Sequence, residues 1–307
     1  MVTKTRHTTL IFLLFAQFAS HAQASFSERI LTPSDTLNKQ RLNTLVIGST
    51  LGGTATLAGL YQLWYADYPQ TSFQFNNDNR DWLGMDKLGH ATTAYYTAVT
   101  GIRAMRWAGV KNRKAIWYGA LPGWLFLATV EIFDGFSEQW GFSTGDFIAN
   151  TGGSALAIGQ EALWQEQRIM LKFSFHESPY RKLRPEMLGE SLWSSWLKDY
   201  NGQTYWLSVS PGSFGWDIWP EWLCLSAGYS GRGMITGDAD NQASRPEFAY
   251  LERAPQFFAS LDIDMTKIPV KNKFLRTLFH AINVVKIPFP AVEFSPGRGL
   301  RGHGIYF

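Results

Sequence analysis

The sequence predicts an α+β protein: a helical bundle of about four apolar helices, followed by a largely antiparallel β portion with one amphipathic helix. Up to about residue 170, apolar residues recur at the period of an α-helix. Beyond about residue 171 they alternate with polar residues in short runs separated by turns. We therefore expect a signal peptide at 1–24, a helical domain with a polar motif at 25–170 and a β-rich extension at 171–307.

The N-terminus has the pattern of a cleaved secretory signal. Lys4 and Arg6 precede an apolar run at 9–19, and the small residues Ala22 and Ala24 suit a signal peptidase. An uncleaved anchor helix is the alternative, although the apolar run is short for a membrane span. No cysteine follows the small residues, so we do not expect the lipid-modified cysteine of a lipoprotein.

Composition limits the possible partners. Removing Lys4 and Arg6 lowers the formal net charge from +3 to +1, which leaves no basic excess that would suit nucleic acid. The single cysteine, Cys224, excludes a disulfide within the chain. The 13 Trp residues and the aromatic fraction of 15% suit membrane interfaces as well as ordinary cores. We expect a membrane or an envelope lipid as the partner, and the oligomeric state stays open.

The first apolar segment of the helical part, residues 42–66, contains no charged residue. It is long enough to cross a bilayer, but its small residues equally suit a helix buried in a bundle, and both alternatives remain open. Further helices are predicted at 86–108, at 115–133 and up to Trp164, the last with Ser143 or Thr144 as its N-cap. Five glycines are expected to allow close helix packing: Gly48, Gly52, Gly59, Gly152 and Gly153.

The clearest predicted strand lies at 256–267. Phe257 and Leu261 belong to its apolar face, whereas Asp262 and Asp264 belong to a mostly polar face and are expected to meet water or a basic neighbour. The recognisable strands are too few for a closed single-chain barrel, which favours a small antiparallel sheet. Further strands are predicted at 204–210, 222–229 and 288–294, with the amphipathic helix at 273–285.

The candidate site consists of polar residues three or four positions apart within apolar sequence. Such groups cost several kcal/mol to bury unless they satisfy one another, a metal or a ligand. At helical spacing, the two members of each pair would project from one face. The pairs are Asp86 with His90, Glu131 with Asp134, and Asp146 with Asn150.

Three interpretations of this set are possible. His90 could act as a catalytic acid or base with Asp86 and Glu131, while Lys87 binds an anionic group such as a phosphate. The pairs could instead serve only to fix helix packing. They could also bind a divalent cation, because carboxylates suit magnesium, calcium or manganese and an imidazole admits zinc or iron. The metal ligands would then come from Asp86, His90, Glu131, Asp134 and Asp146.

The motif DKLGH at 86–90 and the stretch EIFDGFSEQWGFSTGDFIANTGGS at 131–154 resemble the YfiM-like family of predicted periplasmic or lipoprotein envelope proteins, a domain of unknown function. The order Asp-Lys-x-x-His, then Glu, then Asp-x-x-x-Asn is more distantly similar to the VanZ family of membrane proteins, which is linked to glycopeptide resistance. This resemblance adds Ser137 to the positions of interest, so the expected ligand-binding residues are Lys87, Ser137 and Asn150.

Together these observations predict an exported, periplasm-facing and membrane-associated envelope protein, with the outer membrane favoured over the inner membrane. Its polar pocket is expected to bind a cation or a lipid head group. The alternatives are an envelope hydrolase or transferase acting on a lipid-linked or phosphate-containing substrate, and a structural or interaction protein.

Overall fold

The computed structural model describes residues 30–66 and 68–307. The predicted signal peptide at 1–24 lies outside the described residues. Within them the protein is α+β, as predicted, with long helices in the first part and a six-stranded antiparallel sheet in the second.

Long helices form the first part, and their bounds lie close to the predicted ones. Asn38 caps the first helix and Ser143 caps the fourth, because each side chain accepts a hydrogen bond from the backbone N–H three residues further on. Pro122 lies inside the third helix, which continues past it. The helices are α1 (Lys39–Leu60), α2 (Met85–Trp107), α3 (Asn112–Gly135) and α4 (Thr144–Trp164).

Helices α2, α3 and α4 cross closely because glycines face backbone at the crossings. A Cβ atom on Gly119 of α3 would collide with the backbone of Ile102 in α2, and one on Gly153 of α4 would collide with the carbonyl group of Ala91. The close crossings enclose a small apolar core. Its buried members are Tyr95, Ala98, Val99, Ile102, Ile116, Ala120 and Ala157.

Helix α1 does not join this core. None of its residues is buried, and Leu51 keeps 66% of its surface exposed. The buried-bundle alternative is therefore wrong for residues 42–60, whereas Tyr65 is buried, and the expected close packing through Gly48, Gly52 and Gly59 is also wrong, because these glycines have open space around them. Among the described helices, α3 is the one that is long and apolar enough to cross a membrane, and 33% of its apolar window is buried.

The second part is a meander in which each strand pairs antiparallel with the next strand in the chain. Four of its strands and its amphipathic helix were predicted, whereas the first and last strands were missed. The strands are β3 (Ile169–Phe175), β4 (Gln203–Val209), β5 (Leu223–Arg232), β6 (Ala254–Ile263), β7 (Phe289–Ser295) and β8 (Gly299–Tyr306).

Short elements complete the chain. In the helical part, β1 (Phe75–Asn76) and β2 (Phe142–Ser143) pair in parallel. Short helices α5 (Pro185–Leu188), α6 (Leu192–Lys198) and α7 (Ala239–Ala243) connect the strands of the sheet. Between β6 and β7 lie a 3₁₀ turn, Met265–Lys267, and the amphipathic helix α8 (Lys273–Ile282).

The sheet has a polar inner face and an apolar outer face. Lys172 of β3 and Asp262 of β6 are fully buried and form an ion pair of 2.9 Å. On the outer face of β6, Phe257 and Leu261 expose 46% and 36% of their surface. The expected contact of Asp262 with water is therefore wrong, and its partner is the basic neighbour that was the alternative.

The sheet also fixes the turn that precedes α2. The Tyr229 hydroxyl of β5 donates a 2.8 Å hydrogen bond to the carbonyl of Leu83, and the Trp82 N–H donates to the carbonyl of Gly237. Trp82 and Leu83 have φ angles of 49° and 56°, a left-handed conformation that other residues than glycine adopt only when their surroundings hold it. The β portion thereby determines where α2 begins.

Two neighbouring glycines of α4 provide a matched test of the helix crossing. Gly153→Ala should lower the free energy of unfolding by about 1–3 kcal/mol, because the new methyl group overlaps the backbone of Ala91. Gly152→Ala should be neutral or raise it by up to about 1 kcal/mol, because this position has open space and alanine favours a helix. Urea unfolding measures both values, and equal effects would contradict the crossing.

Candidate functional site

The predicted polar residues lie where α3 ends and where α2 and α4 begin. Each helix contributes side chains from the two turns nearest this point. The left-handed Gly84 precedes α2, whose start is also held by the bonds from the β portion, and the Ser143 cap precedes α4. The residues are Asp86, Lys87 and His90 on α2, Glu131 and Asp134 on α3, and Asp146 and Asn150 on α4.

The Lys87 ammonium group lies among three carboxylates. Its Nζ is 2.7 Å from Asp78, 2.8 Å from Asp86 and 3.1 Å from Oδ2 of Asp146. Asp78 belongs to the polar loop between α1 and α2, and it also accepts a 2.6 Å hydrogen bond from the Ser143 hydroxyl. The Lys87 side chain therefore links the loop, the start of α2 and the start of α4.

His90 lies on the side of Asp146 that faces away from Lys87. Its Nδ1 is 3.2 Å from Oδ1 of Asn150 and 3.5 Å from Oε1 of Glu131, while its Nε2 is 3.9 Å from Oδ1 of Asp146. One ligand atom from each of His90, Glu131 and Asp146 lies within 4.8 Å of the other two. The His90 side chain is 29% exposed, whereas those of Glu131 and Asp146 are 2% and 8% exposed.

Several buried atoms of this site have no hydrogen-bond partner among the described residues. They include Oε1 of Glu131 and Oδ1 of Asp146, the two oxygens that face His90, as well as Nδ2 of Asn150 and Oδ1 of Asp86. A buried polar atom without a partner costs roughly 1–3 kcal/mol. A concentration of such atoms at one place therefore indicates a site that binds something.

Burial perturbs the protonation of these carboxyl groups. Burial, together with the charges of Asp146 and Asp134, raises the pKa of Glu131 to about 8. Burial also raises the pKa of Asp86 to about 6, against the opposing effect of Lys87. At Asp78 burial is outweighed, because hydrogen bonds from Lys87 and Ser143 lower its pKa. Glu131 is therefore uncharged at neutral pH unless a cation replaces its proton.

Two of the predicted residues, Asp134 and Ser137, lie outside both the group around Lys87 and the group around His90. Asp134 accepts a 2.6 Å hydrogen bond from the Tyr65 hydroxyl, and burial raises its pKa to about 6. Ser137 is buried against the loop before α2: its carbonyl accepts a hydrogen bond from Gln74, and its hydroxyl accepts one from the Gln139 N–H. Neither residue is among the described side chains that could share one ion with His90.

Sequence reasoning missed the role of Asp78. This residue lies in an Asn-rich loop without periodicity, and its contact with Lys87 depends on the pairing of β1 with β2. The one available signal was charge balance, since the motif around Lys87 contains one lysine and several acids. Ser143 was predicted as a helix cap, and the structure adds its hydrogen bond to Asp78.

The fold and this site together define an α+β protein with a carboxylate-rich site between three helix ends. Residues 74–161 match a family model described as "Predicted periplasmic lipoprotein (DUF2279)". The matched range is less than a third of the chain, and it contains α2, α3 and the residues around Lys87 and His90. No curated protein and no solved structure matches the chain. The match supports an exported, periplasm-facing and membrane-associated envelope protein of unknown function.

The raised pKa of Glu131 should make stability depend on pH. The folded protein keeps this proton up to about pH 8, whereas the unfolded chain loses it near 4.5. Because the folded state binds more protons in this window, the contribution of Glu131 to the free energy of unfolding should fall as pH rises from about 5 to about 8. In chelator-treated protein, Glu131→Gln should abolish this contribution.

Urea unfolding at several pH values measures the effect as the difference between wild type and variant. Glu138→Gln, at an exposed position after α3, is the matched control and should follow the wild type. An identical pH dependence for wild type and Glu131→Gln would contradict the raised pKa.

Proposed function

We propose that this protein is an envelope protein whose helical bundle binds a divalent cation through His90, Glu131 and Asp146. One observation carries the proposal: each of the three side chains offers a ligand atom within 4.8 Å of the other two, and Oε1 of Glu131 and Oδ1 of Asp146, which face His90, are buried without a partner. A bound cation would satisfy both oxygens and neutralise their charge.

The distances suit such an ion. Protein ligands lie about 2.0–2.6 Å from divalent cations, so two ligands of the same ion are separated by up to about 4–5 Å. The ligand atoms of the group around His90 meet this limit. Two carboxylates with one imidazole favour manganese or zinc, because manganese accepts carboxylates and zinc accepts imidazole readily.

The charge balance also favours a cation. Lys87 is already shared by Asp78, Asp86 and Asp146, so within residues 30–66 and 68–307 the one basic side chain paired with Glu131 is His90. Lys87 holds Oδ2 of Asp146 and leaves Oδ1 turned toward His90. Partners that orient a metal ligand in this way are a usual part of metal sites.

Side-chain exposure favours an ion over a larger ligand in this site. Glu131 and Asp146 are almost completely buried, and His90 provides the partly exposed side. A small ion can reach their oxygens past His90, whereas a lipid head group would have to displace the surrounding helices.

A second candidate function is acid–base catalysis on a lipid-linked or phosphate-containing envelope substrate. The raised pKa of Glu131 favours it, because this side chain could donate a proton at neutral pH beside His90 acting as a base. Asp86 would contribute to the electrostatics of such a site. The third candidate is a structural role, in which the pairs only fix helix packing.

The cellular setting belongs to the same proposal. We propose that the chain is similar to YfiM-like envelope proteins, and more distantly to VanZ, and that it carries a signal peptide at 1–24, a helical unit at 25–170 and a β-rich unit at 171–307. A membrane or envelope lipid is the proposed partner. The polar inner face and apolar outer face of the sheet support a location in the outer membrane.

Metal binding is the direct test of the cation site. Chelator-treated protein should take up about one equivalent of manganese or zinc, and Glu131→Gln and His90→Ala should each weaken binding at least about tenfold, the usual effect of altering a metal site. Glu138→Gln should bind like the wild type. Isothermal titration calorimetry gives the affinity, and elemental analysis gives the stoichiometry.

Other outcomes would contradict the cation site and would distinguish the two alternative functions. Folded wild-type protein that binds neither metal would overturn the cation site. If such metal-free protein loses its cellular effect on His90→Ala without unfolding, catalysis is the function. If His90→Ala and Glu131→Gln unfold the protein and no metal binds, the polar pairs have a packing role.

A further inference from the structure

Helix α8 is amphipathic, and its apolar face is the exposed one. Phe274, Leu275, Leu278 and Ile282 form one apolar stripe and expose 60%, 39%, 38% and 39% of their surface. At 3.6 residues per turn, His280 lies about 160° around the helix from Leu278, which places it on the opposite face. No residue of α8 is buried, so the stripe is not covered by any part of the sheet or the bundle.

The polar face of α8 is the one that contacts the rest of the protein. The Lys273 ammonium donates a 2.9 Å hydrogen bond to the Thr32 hydroxyl, and His280 lines a cavity of about 280 Å³ between α8 and α2. Directly after the helix, the carbonyl of Asn283 accepts a 3.2 Å hydrogen bond from the Tyr96 hydroxyl. A rotation of α8 that buried the apolar stripe would break these contacts.

This orientation is the reverse of the usual one. A surface helix of a globular protein normally turns its apolar stripe toward the core and its polar face toward water. A single exposed apolar side chain is ordinary, but the four on α8 are neighbours at helical spacing and form one patch. Exposed apolar patches of this kind mark surfaces that contact another molecule or a membrane.

The charge around α8 indicates an anionic partner. The sequence 265–292 contains five basic residues and no acidic one. Lys271 and Arg276 are exposed, and neither forms an ion pair with any residue in 30–66 or 68–307. An apolar stripe beside exposed basic side chains is typical of helices that lie in the interface of an anionic membrane.

We propose that α8 lies in the interface of an anionic membrane, with its apolar stripe among the acyl chains and with Lys271 and Arg276 at the level of the phosphate groups. A second copy of this chain is a poorer occupant, because a symmetric contact would bring the same basic residues together. The inference rests on the proposed membrane partner. It is independent of the cation site, because no residue of α8 belongs to that site.

Vesicle binding tests the contact on the purified full-length protein. Wild type should bind phosphatidylcholine vesicles that contain phosphatidylglycerol. Phe274→Gln should weaken this binding at least about tenfold, because a phenyl ring leaves the acyl chains. Thr277→Gln places the same side chain at an exposed position outside the stripe, so it is the matched control and should bind like the wild type. Should Phe274→Gln fail to fold, Ile282→Gln at the other end of the stripe replaces it.

The charge of the partner is tested separately. Lys271→Gln combined with Arg276→Gln should reduce the preference for phosphatidylglycerol vesicles over pure phosphatidylcholine vesicles at least about tenfold, since each basic residue near an anionic surface strengthens binding. Lys182→Gln combined with Lys198→Gln removes the same charge from exposed positions between β3 and β4 and should keep the preference.

A fluorescent label reads the stripe directly. Phe274→Cys provides a reactive thiol on α8, whereas the native Cys224 is fully buried. The emission of an environment-sensitive dye attached at position 274 should shift to the blue when phosphatidylglycerol vesicles are added. The same dye attached through Thr277→Cys should shift less.

Three results would overturn the proposal. Equal vesicle binding by wild type and folded Phe274→Gln would keep the membrane as the partner but remove α8 from the contact. Absence of vesicle binding by the wild type would overturn the proposed membrane partner as well. A dye at position 274 that is already shifted to the blue without vesicles would show another cover: a second copy if the shift grows with protein concentration, and another segment of the same chain if it does not.

Discussion

The arrangement of the site depends on one interaction, the contact of the Lys87 ammonium with Asp78, Asp86 and Asp146. These carboxylates come from a loop, from α2 and from α4, so a single cation determines how three segments meet. The same contact orients Asp146, because one of its oxygens faces Lys87 and the other faces His90. Each carboxylate around Lys87 therefore has a cationic partner, whereas Oε1 of Glu131 and Oδ1 of Asp146, which face His90, are buried without a hydrogen-bond partner.

The rest of the fold makes this division possible. Glycines at the helix crossings bring α2, α3 and α4 close enough for their end residues to share a small volume. The bond from Tyr229 to Leu83 ties the start of α2 to the sheet, so the β portion helps to place Asp86 and Lys87. The close approach of the helices also buries Glu131, which is why its pKa is raised, and its Oε1 has no hydrogen-bond partner among the described residues.

Features that depend on local sequence could be predicted. The spacing of Asp86 and His90 fixes their common helical face, and Ser143 is a cap because its side chain bonds within its own turn. The fold class followed from the change of periodicity near residue 170. Local sequence also sufficed for the four predicted strands, where apolar and polar residues alternate over several positions.

Features that depend on distant contacts could not be predicted. The position of Asp78 follows from the pairing of β1 with β2, about 65 residues apart in the chain. The alternation at 256–267 predicts a strand with two different faces, but it does not indicate which face is buried. In the structure the buried face is the mostly polar one, which includes Asp262. An uncharged stretch such as 42–66 predicts a helix, but it does not indicate which elements the helix packs against. The exposure of α1 could therefore not be predicted from local sequence. Strand β8 contains several glycines. Because glycine is rare in strands, residue propensity does not predict a strand there.

The central claim is that a cation lies between His90, Glu131 and Asp146. Crystals grown with manganese and measured at the manganese absorption edge test it most directly, because anomalous scattering locates the ion without reference to activity. We expect one strong peak within about 2.0–2.4 Å of ligand atoms of all three side chains. A fully ordered site without such a peak, or a peak bound only by the carboxylates around Lys87, would contradict it.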